Sequence, residues 1–119
     1  MAGSRRILVV DDNADAAESL RLALGGRGVV QVAASGPEAL ARLETFAPDL
    51  VFLDIGMPGM DGHEVARRIR AAGHHALTLV AISGHGQEEV RRRSREAGIN
   101  VHLVKPVDVE QIEALIDTL

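Results

Sequence analysis

The sequence predicts a doubly wound α/β domain built on one parallel sheet, and three observations carry that expectation. Five short aliphatic runs, Ile7–Val10, Val29–Ala33, Leu50–Leu53, Leu77–Ile82 and Val101–Val104, are apolar on both faces, as strands covered from both sides must be. Stretches with apolar residues at helical spacing alternate with them. The chain has 119 residues, 46% of them apolar, enough for a single domain that buries about two thirds of its unfolded surface without staples.

Each element follows from its residues. After the first run, Ala16, Leu20, Ala23 and Leu24 mark a helix that Gly25-Gly26 is expected to end. After the second, Ser35-Gly36-Pro37-Glu38 reads as a capping box with proline at the first helical position, and Ala39, Leu40 and Leu43 continue the helix. After the third run, Asp61 is the expected N-cap, Glu64 follows three residues on, and Val65, Ile69 and Ala72 form the apolar stripe. Val90, Ser94 and Ala97 mark a fourth helix stopped by Gly98, and Val109, Ile112, Leu115, Ile116 and Leu119 mark a fifth. Five strand–helix units imply right-handed crossovers and helices on both faces of the sheet. No repeat, low-complexity segment or linker divides the chain.

Composition excludes several chemistries. With no cysteine there is no disulfide, thiolate metal site or cysteine nucleophile. No apolar run approaches the roughly 18 residues of a membrane span, and the stretch Met1–Ile7 lacks an apolar signal-peptide core. Of the 13 basic side chains, only Lys105 is a lysine. The five histidines show no helical i, i+4 pair of the kind that binds zinc: His63 and His85 lie near helix starts, His74-His75 in a loop and His102 in the last strand.

Ligand sites in open α/β sheets lie beyond the carboxyl ends of the strands. Asp11 and Asp12 follow the first run, Asp54 the third, Ser83 the fourth and Lys105 the fifth, whereas the second ends in Ala33-Ala34, as an edge strand would. Singly, each has an ordinary explanation: Asp12 or Asn13 capping the first helix, Ser83-Gly84 forming a turn. Together they describe a pocket. Carboxylates held close need raised pKa values or a cation, and a hard divalent ion with oxygen ligands meets that need. A lysine ammonium and a serine hydroxyl opposite would hold phosphoryl oxygens, and a carboxylate is a competent phosphoryl acceptor.

These residues resemble the receiver domain of two-component response regulators. Ile7-Leu8-Val9-Val10-Asp11-Asp12-Asn13 looks like the family's opening strand and acidic pair. Leu53-Asp54-Ile55-Gly56-Met57-Pro58-Gly59-Met60-Asp61-Gly62 looks like its phosphoacceptor segment. Ala81-Ile82-Ser83-Gly84 and Val104-Lys105-Pro106 match the strands that end in Ser or Thr and in Lys-Pro. The likeness runs from Ile7 to Leu119 in order and spacing. It implies a flavodoxin-like (βα)5 sandwich with strand order 2-1-3-4-5, one receiver domain over residues 1–119, and no output domain within them.

The resemblance further implies that Asp54 accepts a phosphoryl group from a phosphohistidine and that Mg2+, or Mn2+ in its place, assists. Asp12, Asp54 and the backbone carbonyl of Gly56 would ligate the ion, and Asp11 directly or through water. Ser83 and Lys105 would each hold a phosphoryl oxygen, Lys105-Pro106 would be cis, and Gly56 and His85 border the phosphoryl group where they would tune its lifetime. Ser83 and His102 would form the switch. Here the sequence departs from the common pattern, which has Tyr or Phe three residues before the lysine, and His102 resembles receivers of hybrid sensor histidine kinases. The implied partners are a histidine kinase or histidine phosphotransfer domain, and a second copy through helix 4, strand 5 and helix 5, with no direct nucleic-acid or membrane contact. The implied setting is cytoplasmic, tethered to a membrane sensor where the receiver belongs to a hybrid kinase. The domain would phosphorylate and dephosphorylate itself without being an enzyme toward other substrates.

Two other classes fit less well. A phosphatase or phosphotransferase with an aspartate nucleophile predicts Asp-x-Asp on the first strand and a cap insertion, and Asp11-Asp12-Asn13 offers neither. Nucleic-acid binding through Arg91, Arg92, Arg93 and Arg95 meets a net charge of −4 and only 2% aromatic residues. That basic strip and the acidic fifth helix, with Asp108, Glu110, Glu113 and Asp117, are expected to flank the last strand, where their charges could meet within one chain or across two.

Overall fold

The computed structural model describes residues 5–84 and 86–119. Its elements are β1 (Arg5–Val10), α1 (Ala14–Leu24), β2 (Gly28–Ala33), α2 (Gly36–Phe46), β3 (Leu50–Asp54), α3 (Gly62–Ala71), β4 (Thr78–Ser83), α4 (Glu88–Glu96), β5 (Val101–Val104) and α5 (Val109–Asp117). The five strands form one parallel sheet in the order β2-β1-β3-β4-β5, with β2 at an edge as the sequence implies.

Alternation along the strands divides the core into two layers. Leu8, Val10, Val51, Leu53, Leu79 and Ala81 face α2, α3 and the end of α4, where Leu43, Phe46, Val65, Ile69 and Ala97 close over them. Ile7, Val9, Leu50, Phe52 and Val80 face α1 and α5, meeting Ala17, Leu24, Ile112 and Ile116. Both strand faces are therefore buried, which explains the continuous apolar runs.

The helix starts follow their capping residues. Asn13, rather than Asp12, caps α1 by accepting from the Ala16 N–H at 3.0 Å. Ser35 Oγ accepts from Glu38 N–H at 3.3 Å while the Glu38 carboxylate accepts from Ala34 N–H at 3.1 Å. Asp61 caps α3 by accepting from Glu64 N–H at 2.9 Å. The Gly25-Gly26 pair does end α1, but the chain first tightens into a 3-10 turn over Gly25–Arg27. Strand edges move by a residue or two: β1 starts at Arg5, β2 at Gly28, and β3 and β4 extend to Asp54 and Ser83.

The end of the sheet remote from the strand carboxyl ends is braced by one side chain that periodicity does not single out. The Arg70 guanidinium donates to Gly98 O at 3.0 and 2.9 Å, to His74 O at 2.8 Å, to Leu77 O at 2.9 Å and to Asn100 Oδ1 at 2.9 Å. Gly98, with φ of 93°, ends α4 in the left-handed region, and a Cβ there would lie 2.7 Å from Arg70 Cγ, so glycine serves both the turn and the arginine. Removing a charged donor from several carbonyls costs more than losing a neutral hydrogen bond. Arg70→Ala is expected to lower unfolding stability by about 2 kcal/mol, with Arg70→Lys recovering only part because a point charge cannot span four acceptors. A urea midpoint unchanged in Arg70→Ala would contradict this.

Candidate functional site

Strand register brings the polar strand ends to one level. Val10 lies opposite Leu53, Asp54 opposite Ile82, and Ser83 opposite Val104. Asp11 and Asp12 thus emerge beside Asp54, and Lys105 emerges beside Ser83. Backbone bonds fix the exits: Asp11 N–H donates to Ala33 O at 3.0 Å, Ile55 N–H to Ile82 O at 3.0 Å, and Lys105 N–H to Ser83 O at 2.8 Å. The Lys105–Pro106 peptide is cis.

One carboxylate oxygen each from Asp11, Asp12 and Asp54 lies within 4.8 Å of the other two. The Asp54 side chain is 12% exposed, with Lys105 Nζ 3.7 Å from its Oδ1. The Gly56 N–H donates to that same Oδ1 at 3.1 Å. Asp11 is oriented by the Asn13 N–H, at 2.9 Å from its Oδ1. Gly62 closes the loop after β3 against the end of that strand: a Cβ there would sit 2.7 Å from the Asp54 carbonyl oxygen and 2.9 Å from Ile55 Cα. Only glycine lets α3 start this close to Asp54.

A cavity of about 340 Å³ opens beside Asp54, with Gly56, Ser83 and Lys105 joined in its wall by His63 and Arg93. Ser83 is 5% exposed, and its Oγ lies 2.9 Å from His102 Nε2. His102 is therefore turned inward, toward Ser83. Its Nδ1 lies 2.9 Å from Ser94 Oγ, which lies 2.8 Å from His63 Nε2. Sequence reasoning missed His63 and Ser94 as part of this site. The available signal was Ser94 itself, a polar residue on the apolar stripe of α4, since a buried hydroxyl needs a partner. His85 lies outside the described residues.

Electrostatics follow from crowding. Burial, with repulsion and a shared hydrogen bond from Asp54, holds the Asp11 carboxyl above the usual carboxylate range, against the opposing pull of the Asn13 N–H and Lys105. The donor set is all oxygen, with Asp12 open to solvent, which suits a hard divalent ion such as Mg2+ or Mn2+ that keeps part of its water.

The charges of α4 and α5 do not meet. Arg92 pairs with Glu89 at 2.6 Å and with Glu96 at 2.7 Å, and Arg95 pairs with Glu88 at 3.2 Å, all within α4 and its first turn. Arg91 Nε donates to Gly86 O at 3.1 Å. On α5, Asp117 and Glu113 pair with Arg27 at 2.5 and 4.0 Å. Among the described residues no ion pair joins the two helices, because they pack on opposite faces of the sheet.

Comparison with known proteins agrees with this geometry. Residues 7–117 match the family described as the response regulator receiver domain. An uncharacterized 14.6 kDa protein of Leptolyngbya boryana is 38% identical over 112 residues, covering 92% of this chain and 86% of that one. The response regulator MprA of Mycolicibacterium vanbaalenii is 38% identical over 110 residues, covering 92% of this chain but 47% of its own length. This chain thus spans about half of that relative. The Vibrio cholerae chemotaxis protein CheY4 superposes with a TM-score of 0.92 at 24% identity, covering 97% of this chain and 98% of that one, a likeness of fold. Among the described residues no helix is long and apolar enough to cross a membrane.

The raised Asp11 carboxyl has a consequence for stability. The folded chain holds this proton more tightly than the unfolded chain does, so ionising Asp11 costs stability as pH rises past the ordinary carboxylate range. Asp11→Asn keeps the acceptor for the Asn13 N–H and removes the charge. In metal-free buffer it should raise Tm at neutral pH, by a few degrees at most because the group is partly solvated, and the gain should vanish in acid. A lower Tm at neutral pH would contradict the assignment.

Proposed function

The chain belongs to the response regulator receiver family, and from that premise we propose that it is the phosphoacceptor of a two-component phosphorelay, taking a phosphoryl group from a phosphohistidine onto Asp54. The observation that carries this reading is the environment of Asp54: a recessed carboxylate with Lys105 Nζ 3.7 Å away and oxygens of Asp11 and Asp12 gathered beside it.

In the transfer, an Asp54 carboxylate oxygen forms the new P–O bond as the P–N bond to the donor imidazole breaks. The bonding pair returns to the donor nitrogen. Such a reaction asks mainly for positioning and charge neutralisation. The Lys105 ammonium is a compact charge suited to one phosphoryl oxygen, and Ser83 Oγ offers a hydroxyl donor to another. The Gly56 N–H, already on Asp54 Oδ1, fixes the orientation of the carboxylate. Asp11, Asp12, Asp54 and the Gly56 carbonyl would hold a divalent ion, whose chemistry there is to neutralise the negative phosphoryl oxygens.

The partner that fits is a histidine kinase or a histidine phosphotransfer domain, since the acceptor carboxylate needs an activated phosphoryl group brought to it. The same reading assigns the domain to the cytoplasm. Self-association through α4, β5 and α5 belongs to the same reading, with the basic face of one copy against the acidic helix of the other. Reversing charge at Arg91 and Arg95 should then weaken association of the phosphorylated protein in analytical ultracentrifugation, and unchanged association would remove charge complementarity as its basis.

Acetyl phosphate with Mg2+ should label the chain at one site. Asp54→Ala should reduce labelling to background, and generic phosphate esters should not be hydrolysed. Normal labelling of Asp54→Ala would refute the acceptor assignment, while turnover of phosphate esters would favour a phosphatase.

A further inference from the structure

Four buried or half-buried groups form a continuous string behind the acceptor pocket. Ser83 Oγ meets His102 Nε2 at 2.9 Å, His102 Nδ1 meets Ser94 Oγ at 2.9 Å, and Ser94 Oγ meets His63 Nε2 at 2.8 Å. Each link joins a different pair of elements: β4 to β5, β5 to α4, and α4 to α3. Ser94 is 1% exposed and His63 is 2% exposed, so solvent does not share these bonds.

Proton counting makes the string directional. The hydrogen-bond partners of Ser94 Oγ among the described residues are the two rings, and a buried hydroxyl has one proton to give. It donates to one ring and accepts from the other, which forces His102 Nδ1 and His63 Nε2 into opposite roles. A neutral imidazole likewise has one donor and one acceptor nitrogen. Burial holds the His63 pKa below its ordinary value, and the nearby Arg93, Arg67 and His102 act in the same direction against Asp61. His63 is thus a neutral ring at neutral pH. Where His102 also carries a single proton, the direction of the Ser83–His102 bond and that of the Ser94–His63 bond are tied together.

We propose that Ser94 and His63 are positioning residues for Ser83, and that occupancy of Asp54 reverses the direction of this string. The proposal rests on the reading of Asp54 as phosphoacceptor. Before phosphorylation the Ser83 hydroxyl donates to His102 Nε2, His102 Nδ1–H to Ser94, and the Ser94 hydroxyl to His63 Nε2. That direction contains two O–H···N bonds to basic imidazole nitrogens, where the opposite direction contains one. A phosphoryl oxygen on Asp54 is a charged acceptor and makes the stronger bond with the Ser83 proton. The string then runs the other way: His63 Nε2–H donates to Ser94, Ser94 to His102 Nδ1, and His102 Nε2–H to Ser83. Each ring moves its single proton from Nδ1 to Nε2, each hydroxyl turns, and the protein neither gains nor loses a proton.

The state of the acceptor thus reaches the α3–α4 seam as a change of tautomer. This gives His102 a function that does not need the swinging aromatic ring absent from this sequence. It also explains why a histidine at the start of α3 and a serine on the buried stripe of α4 are aligned on it.

The test is imidazole 15N NMR on the full chain, with and without Mg2+ and beryllofluoride as the phosphoryl mimic. The 19F resonance of bound beryllofluoride reports acceptor occupancy independently. In the wild type, both His63 and His102 should exchange their protonated and unprotonated nitrogens when the bound 19F signal appears. In Ser94→Ala the bound signal should persist while the His63 tautomer no longer responds. Bound beryllofluoride with both rings unchanged in the wild type overturns the relay and leaves the acceptor reading intact. A His63 response equal to wild type in Ser94→Ala also overturns it. No bound signal at Asp54 overturns the acceptor reading and the relay with it.

Discussion

Three carboxylates gathered so that one oxygen of each lies within 4.8 Å of the others set the terms for the rest of the molecule. Left to themselves they would separate or take up protons. The scaffold that resists this is the parallel sheet, whose central strands end at one level because both of their faces are buried in continuous aliphatic layers. The exits are then pinned by single backbone bonds, from Asp11 to Ala33, from Ile55 to Ile82 and from Lys105 to Ser83. Even the start of α3 is drawn in, through the absence of a side chain at Gly62. The raised Asp11 carboxyl is the electrostatic cost of that arrangement, and it makes the pocket receptive to positive charge.

Much of this is legible in the sequence because it is local. A doubly covered strand is an uninterrupted apolar run, a cap is a side chain three residues from its target, and a site in an open α/β sheet lies just past the strands. Asp11, Asp12, Asp54, Ser83 and Lys105 announce themselves by position, and the four motif segments carry the family resemblance. What escapes is whatever depends on distance across elements. Arg70 reads as one more surface arginine of an amphipathic helix, and its acceptors lie on segments up to 30 residues away. His63 looks like a polar residue at a helix start, and only the packing of α3 on α4 places it against Ser94, 31 residues on. The failure of the α4 and α5 charges to meet within the chain has the same origin. Both helices flank β5, but on opposite faces, and charge pattern alone does not say which face a helix takes.

The arginines show how such nonlocal placement divides labour within one residue type. On α4, Arg92 is held by Glu89 and Glu96 one turn to either side, Arg95 reaches Glu88 two turns back, and Arg91 holds the Gly86 carbonyl. Arg27 reaches α5 and clips the end of the chain to the turn after α1. Arg70 holds carbonyls and no acid. A planar fork with several donors suits all three tasks.

Lys105 stands apart from them, and its solitude has a chemical corollary. Its side chain is 46% exposed and its nitrogen sits 3.7 Å from Asp54 Oδ1, so the chain's only lysine amine lies beside the carboxylate proposed to accept the phosphoryl group. Amine-selective acylation, alkylation or crosslinking finds a single side-chain target in this protein, and reaction there removes or blocks the cation beside Asp54. The reactivity that most proteins scatter over their surface is here a single-site handle, and its rate of modification reports how firmly the ammonium is engaged.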